Sequence, residues 1–94
     1  MKVILHLTAR PDTADKLKAI LLQVAKQSRS EKDCISYQVL QNAADPCSFT
    51  LLEEWTSEPA LDHHMTLPHV QRALAEGVPL LAKDLDARRF LTIG

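Results

Sequence analysis

Two alternating runs, Cys34 to Gln41 and Ser48 to Trp55, flank the short stretch Asn42-Ala43-Ala44-Asp45-Pro46, and this pair constrains the fold more than any other feature. In the first run Ile35, Tyr37 and Val39 alternate with Ser36, Gln38 and Leu40. In the second, Phe49, Leu51, Glu53 and Trp55 alternate with Thr50, Leu52 and Glu54. A period of two sends successive side chains to opposite faces of a strand. Pro46 restricts the backbone and Asp45 is placed to cap the turn. Strands joined by so short a link pair as an antiparallel hairpin. Pairing Gln41 near Ser48 sets Cys34 opposite Trp55, with a register that could slip by two.

The same periodicity marks a strand at Met1 to Thr8, with Val3, Leu5 and Leu7 on an aliphatic face and Ile4, His6 and Thr8 on a mixed one. A final strand is expected over Asp86 to Ile93. Between the first strand and the hairpin, Ala9-Arg10-Pro11-Asp12 turns into a helix capped by Asp12 or Thr13. From Ala14 its apolar residues fall at positions 14, 17, 20, 21 and 24, and it fades around Ser28 to Ser30. Glu31-Lys32-Asp33 reads as a polar connector. After the hairpin, Ser57 caps a helix over Ala60 to Thr66, with Pro59 tolerated in its first turn. Pro68 breaks it and opens a second short helix, His69 to Glu76, with Gly77 as its stop. Val78 to Ala82 is apolar and of undetermined form.

The order β-α-β-β-α-β is an α+β plan of the ferredoxin-like kind. Helices on one face of a four-stranded sheet leave the other face bare, and a second copy packed sheet to sheet is the economical cover. At 94 residues the chain makes one domain.

Composition excludes several classes of function. The net charge is −1, with acidic and basic residues scattered, which argues against nucleic acid as the partner. No stretch approaches a membrane span, and the opening apolar run is too short for an export signal, so a soluble cytoplasmic protein is expected. Cys34 and Cys47 would lie roughly 20 Å apart along one hairpin arm at ~3.3 Å per residue, beyond the ~7 Å that a disulfide spans. With two glycines the chain has no dinucleotide or phosphate loop. The histidines are poorly spaced for a metal, and none is assigned.

The remaining chemistry lies between Phe49 and Val70, which holds the only Trp and three of the four His. Glu53 shares a strand face with Phe49, Leu51 and Trp55, a costly place for a carboxylate that is neither paired nor open to a cavity. On the following helix Leu61, His64 and Met65 share a face and His63 points elsewhere. If that helix folds back over the sheet, Glu53, Trp55 and His64 line one pocket. His64 is then a general base with Glu53 as its orienting partner, and Trp55 a wall suited to a flat aromatic substrate. Tyr37, His69 and His6 are further candidates for substrate contact. Plain structural readings stand beside these: Trp55 as core, His64 as a satisfied core histidine, His69 as a surface residue, Tyr37 as strand packing and His6 as a solvated strand residue.

The run Glu53-x-Trp55, Ser57, Ala60-Leu61, His64, Leu67-Pro68-His69 resembles the pattern of the antibiotic biosynthesis monooxygenase family. Cys34-x-x-Tyr37, the turn with Asp45-Pro46 and the strand leading into Pro11 are similar too, so the resemblance covers about residues 2 to 91. It implies a dimeric α+β barrel of ferredoxin-like subunits and, in many members, oxygenation of phenolic, quinol or anthrone-type substrates without metal, haem or flavin. By this analogy His64 is the base or proton relay, Glu53 orients it, Trp55 walls the pocket, and O2 is the co-substrate of a homodimer. The chain departs from the family in having Asp33 where a Gly often precedes the Cys. Haem-degrading relatives carry an Asn on the first strand, where this chain offers His6 and Thr8. Two other readings of the same scaffold are a small-molecule isomerase and a non-catalytic ligand-binding or stress-response protein.

Overall fold

A computed structural model describes residues 1–94. The elements run β1 (Lys2–Thr8), α1 (Ala14–Arg29), β2 (Cys34–Asn42), β3 (Asp45–Trp55), α2 (Glu58–Met65), α3 (Pro68–Gly77), a 3-10 turn (Val78–Leu80) and β4 (Asp86–Phe90). The strands form one antiparallel sheet in the order β2-β3-β1-β4. This is the ferredoxin-like α+β arrangement expected from the order of elements.

The hairpin is tighter than the sequence suggests. Asn42 pairs with Asp45, so only Ala43 and Ala44 form the turn. Asn42 Oδ1 accepts from the Ala44 amide at 2.8 Å, and Asp45 Oδ1 accepts from the Cys47 amide at 3.0 Å. These short side chains satisfy local amides that the ladder leaves free.

The register also differs from expectation. Cys34 does lie opposite Trp55, but Gln41 pairs with Phe49, not Ser48. The one-residue difference is absorbed between Cys34 and Ser36, where two steps on β2 match one on β3. This is a β-bulge at Ile35, whose side chain is 57% exposed. The consequence is large, because a shift of one residue moves a side chain to the other face. With the bulge, Tyr37 lies opposite Glu53. Without it, Tyr37 would lie opposite Leu52 and face away from the helices.

The helices pack on one sheet face. That face presents Val3 and Leu7 from β1, Tyr37 from β2, and Phe49, Leu51, Glu53 and Trp55 from β3. Leu17, Leu21 and Ala25 of α1, together with Leu61 of α2 and Leu80, complete the core. The opposite face carries Ile4, His6, Leu40, Thr50, Leu52 and Phe90, which are partly or largely exposed.

Several boundaries move. Thr13 occupies the α1 cap position but makes no cap bond there, and its hydroxyl donates to the Leu80 carbonyl at 2.7 Å. Gly77 has φ −87°, so it does not stop α3 in a left-handed turn, and the chain continues into the 3-10 turn. β4 ends at Phe90 because β1 offers it partners only from Lys2 to His6. Leu91 and Ile93 lie beyond it, 74% and 99% exposed. Both cysteines are free.

Candidate functional site

The site forms where the end of β3 meets α2. Ser57 accepts from the Ala60 amide at 3.2 Å and starts α2 immediately after the strand. Pro59 fits the first turn, where its missing N–H has no intrahelical partner to lose. From this start, Leu61 and His64 are the residues α2 turns inward.

His64 is 3% exposed. Its ring lies 4.2 Å from that of Trp55, centroid to centroid, and 6.4 Å from that of Tyr37. The indole Nε1 of Trp55 donates to Glu53 Oε1 at 3.0 Å. That same carboxylate oxygen stands 3.9 Å from His64 Nε2, too far for a hydrogen bond. The close partner of His64 is a different residue: Glu31 Oε2 lies 2.7 Å from Nδ1. Glu31 Oε2 also lies 2.9 Å from His69 Nε2.

Burial sets the electrostatics of the site. Burial pushes the Glu53 carboxyl up to about 7, although the Trp55 hydrogen bond stabilises its ionised form. Glu53 therefore divides between acid and carboxylate near neutral pH. Burial also lowers the pKa of His64, against the opposing pull of Glu31. His64 is thereby kept as a neutral imidazole, the form able to accept a proton. Burial raises the Tyr37 hydroxyl, with the Glu53 charge adding to the effect, so Tyr37 stays protonated. Cys34 is raised for the same reasons, burial first and Glu31 second, which makes it a poor nucleophile.

A cavity of about 70 Å³ lies between the sheet and the helices. Leu5 and Leu51 form its floor, Leu17, Ile20, Leu21 and Val24 of α1 one wall, and Val70, Ala73 and Leu74 of α3 another. Its polar side chains are Glu53, His64 and Tyr37. A few convergent polar groups in an apolar cavity are the usual make-up of a small-molecule site. A more polar groove of about 260 Å³ runs outside, between α1 and α3, past Lys16, His69 and Arg72.

Glu53, Trp55, His64, Tyr37 and His69 are thus brought together. Besides the exchange of Glu53 for Glu31 as the orienting partner of His64, three placements differ from expectation. Trp55 is 1% exposed and does not line the cavity: it stacks behind His64 and holds Glu53. His69 lines the outer groove and reaches the site through Glu31. His6 is not part of the cluster. It lies on the opposite sheet face, paired with Thr50 by a 3.0 Å hydrogen bond, because odd-numbered residues of β1 face the helices.

Glu31 is the residue that sequence reasoning passed over. It follows the last turn of α1 and is 33 residues from its partner His64. Glu31, His64 and His69 each offer one ligand atom, all within 4.8 Å, and are the side chains that could hold a metal ion. An ion there would have to displace both hydrogen bonds on Glu31. Two imidazoles donating to one carboxylate oxygen form a satisfied set by themselves.

Fold and site together define a small α+β protein with a His and a carboxyl group at the polar end of an apolar cavity. The profile of the antibiotic biosynthesis monooxygenase family matches residues 1–76, and the chain belongs to that family. Rv0793 of Mycobacterium tuberculosis, provisionally named a monooxygenase, is 35% identical over 83 residues, which span 88% of this chain and 81% of that protein. In the structural comparison with Rv0793 the TM-score is 0.93 at 28% identity, covering 99% of this chain and 94% of the other. A crystal structure of an antibiotic biosynthesis monooxygenase superposes with a TM-score of 0.94 at 24% identity, covering 99% and 98% of the two chains, and shares the fold. Protein sll1783 of Synechocystis is 29% identical over 85 residues, covering 90% of this chain but only 58% of its own length.

Proposed function

We propose that the protein is a cofactor-independent monooxygenase of a small phenolic or quinol-like substrate, with O2 as co-substrate. The observation that carries this reading is that His64 lines an apolar cavity together with Glu53, 3.9 Å from its Nε2, while Nδ1 is engaged by Glu31. Family membership supports the reaction class. The aliphatic walls match the apolar character of an aromatic ring, whose hydroxyl would meet the polar end at His64 and Glu53. The cavity is smaller than the ~150 Å³ that holds a benzene ring, so binding requires α3 or its side chains to yield.

Nε2 takes the phenolic proton, and the electron-rich phenolate passes an electron to O2. One oxygen atom ends as a ring carbonyl and the other leaves as water, with the substrate supplying the electrons. The protein's part is to bind, deprotonate and exclude bulk water. Tyr37 contacts the substrate, and Trp55 holds Glu53 and His64 from behind.

The active form is a cytoplasmic homodimer, each subunit one domain over residues 2–91. Ile4, Leu40, Leu52 and Phe90 give the outer sheet face an apolar content that a second copy would cover.

Glu53, poised near 7 beside a neutral His64, would equally serve an isomerase that moves a proton between carbons. Oxygen uptake separates the two readings. With a panel of hydroquinones the protein consumes O2, and His64→Ala abolishes uptake while the fold persists. Turnover without oxygen consumption sinks the monooxygenase reading.

A further inference from the structure

We infer that Glu31 is the positioning residue of the site: it orients His64 and determines which ring nitrogen is the base. The inference rests on the reading of His64 as that base. An imidazole that is to accept a proton must present a bare nitrogen, and hydrogen bonding at the other nitrogen selects the tautomer. A carboxylate oxygen can only accept, so Glu31 Oε2 at 2.7 Å draws the proton to Nδ1 and leaves Nε2 bare on the side of the cavity-lining Glu53. Glu53 cannot do this, because at 3.9 Å it makes no hydrogen bond to the ring and faces the nitrogen that must stay free.

The position of Glu31 is itself fixed from two sides. His69 Nε2, on α3, donates to the same oxygen at 2.9 Å. The backbone amide of Glu31 donates to the Ser28 carbonyl at 3.1 Å, tying the residue to the end of α1. The orienting carboxylate thus comes from the α1–β2 connection, the base from α2 and the brace from α3. Their convergence holds the His64 ring against Trp55 in one orientation.

The test compares Glu31→Gln with Glu31→Met. Glutamine keeps an acceptor oxygen at the same reach, and a position that meets both imidazoles takes that oxygen and turns its NH2 away, whereas methionine keeps the length and loses the acceptor. The 15N chemical shifts of the His64 ring report its tautomer without any substrate. Wild type and E31Q are expected to show the Nδ1–H tautomer. E31M is expected to lose it, and its kcat for oxygen uptake to fall at least about tenfold, within the range that a positioned general base contributes. KM should change little. A His64 that keeps the Nδ1–H tautomer in E31M, or an E31M variant with wild-type kcat, overturns the inference. Activity that survives His64→Ala overturns the base assignment, and the ring shifts read the Glu31 effect separately.

Discussion

The indole N–H of Trp55 donates to Glu53 at 3.0 Å, across two residues of the same strand face. The bond gives a buried carboxyl group a close polar partner and sets the pair directly beneath His64. Trp55→Phe keeps most of the packing and removes the donor. The carboxyl pKa of Glu53 should then rise further above about 7, since the group loses the bond that favours its ionised form. A 13C titration of the Glu53 carboxyl measures this. The variant should lose ~1–3 kcal/mol of stability at pH 8, where an ionised Glu53 is left buried without its donor.

Glu53 also gives folding a pH dependence opposite in sign to that of most carboxylates. Its folded pKa of about 7 lies above the ordinary 4.5, so between these values the native state binds more protons than the unfolded one. Its contribution is fully present below pH 4.5 and is lost as pH rises through about 7. The difference amounts to about 3 kcal/mol. His64 acts in the opposite direction. Its folded pKa lies below 6.5, so its share is present above 6.5 and is lost as pH falls. Glu53→Gln, which keeps an acceptor for Trp55, should remove the first slope and expose the second. Denaturant unfolding from pH 5 to 8 should show E53Q matching wild type near pH 5 and exceeding it at pH 8.

On the far face of the sheet, Leu40 is 44% exposed and lies opposite Thr50. In a sheet-to-sheet dimer, a charge at this position would be buried at the interface. Leu40→Glu should give a monomer by sedimentation at micromolar concentration. Its unfolding midpoint in the monomeric state should change little, because exposed substitutions usually shift stability by less than ~0.5 kcal/mol. A wild-type chain that sediments as a monomer contradicts the dimer.

Much of this architecture was legible in local patterns. Alternation in β1, β2 and β3 and the Ser57–Pro59 helix start mark elements whose chemistry is set by near neighbours. Glu53 and Trp55 were readable as a pair because two residues on one strand share a face. Three features were hidden because they depend on long-range geometry. The bulge at Ile35, which brings Tyr37 opposite Glu53, shows only when β2 is laid against β3. Glu31 looks like any polar residue of a connector until α2 and α3 bring two imidazoles to it. The strand pattern makes Trp55 a cavity wall, but α2 lays His64 over it and takes that place.

The central claim is that His64 deprotonates a phenol in the apolar cavity. Its most direct test is the absorption spectrum, in the absence of oxygen, of a bound single-ring chromophoric phenol acidic enough to ionise near neutrality, because His64, lowered from 6.5, would leave an ordinary phenol of pKa ~10 protonated in the ground state. Wild-type protein is expected to show the phenolate band, and His64→Ala the neutral phenol band with the same ligand bound. A bound phenol that stays neutral in the wild type, or a phenolate band that persists in H64A, would contradict it.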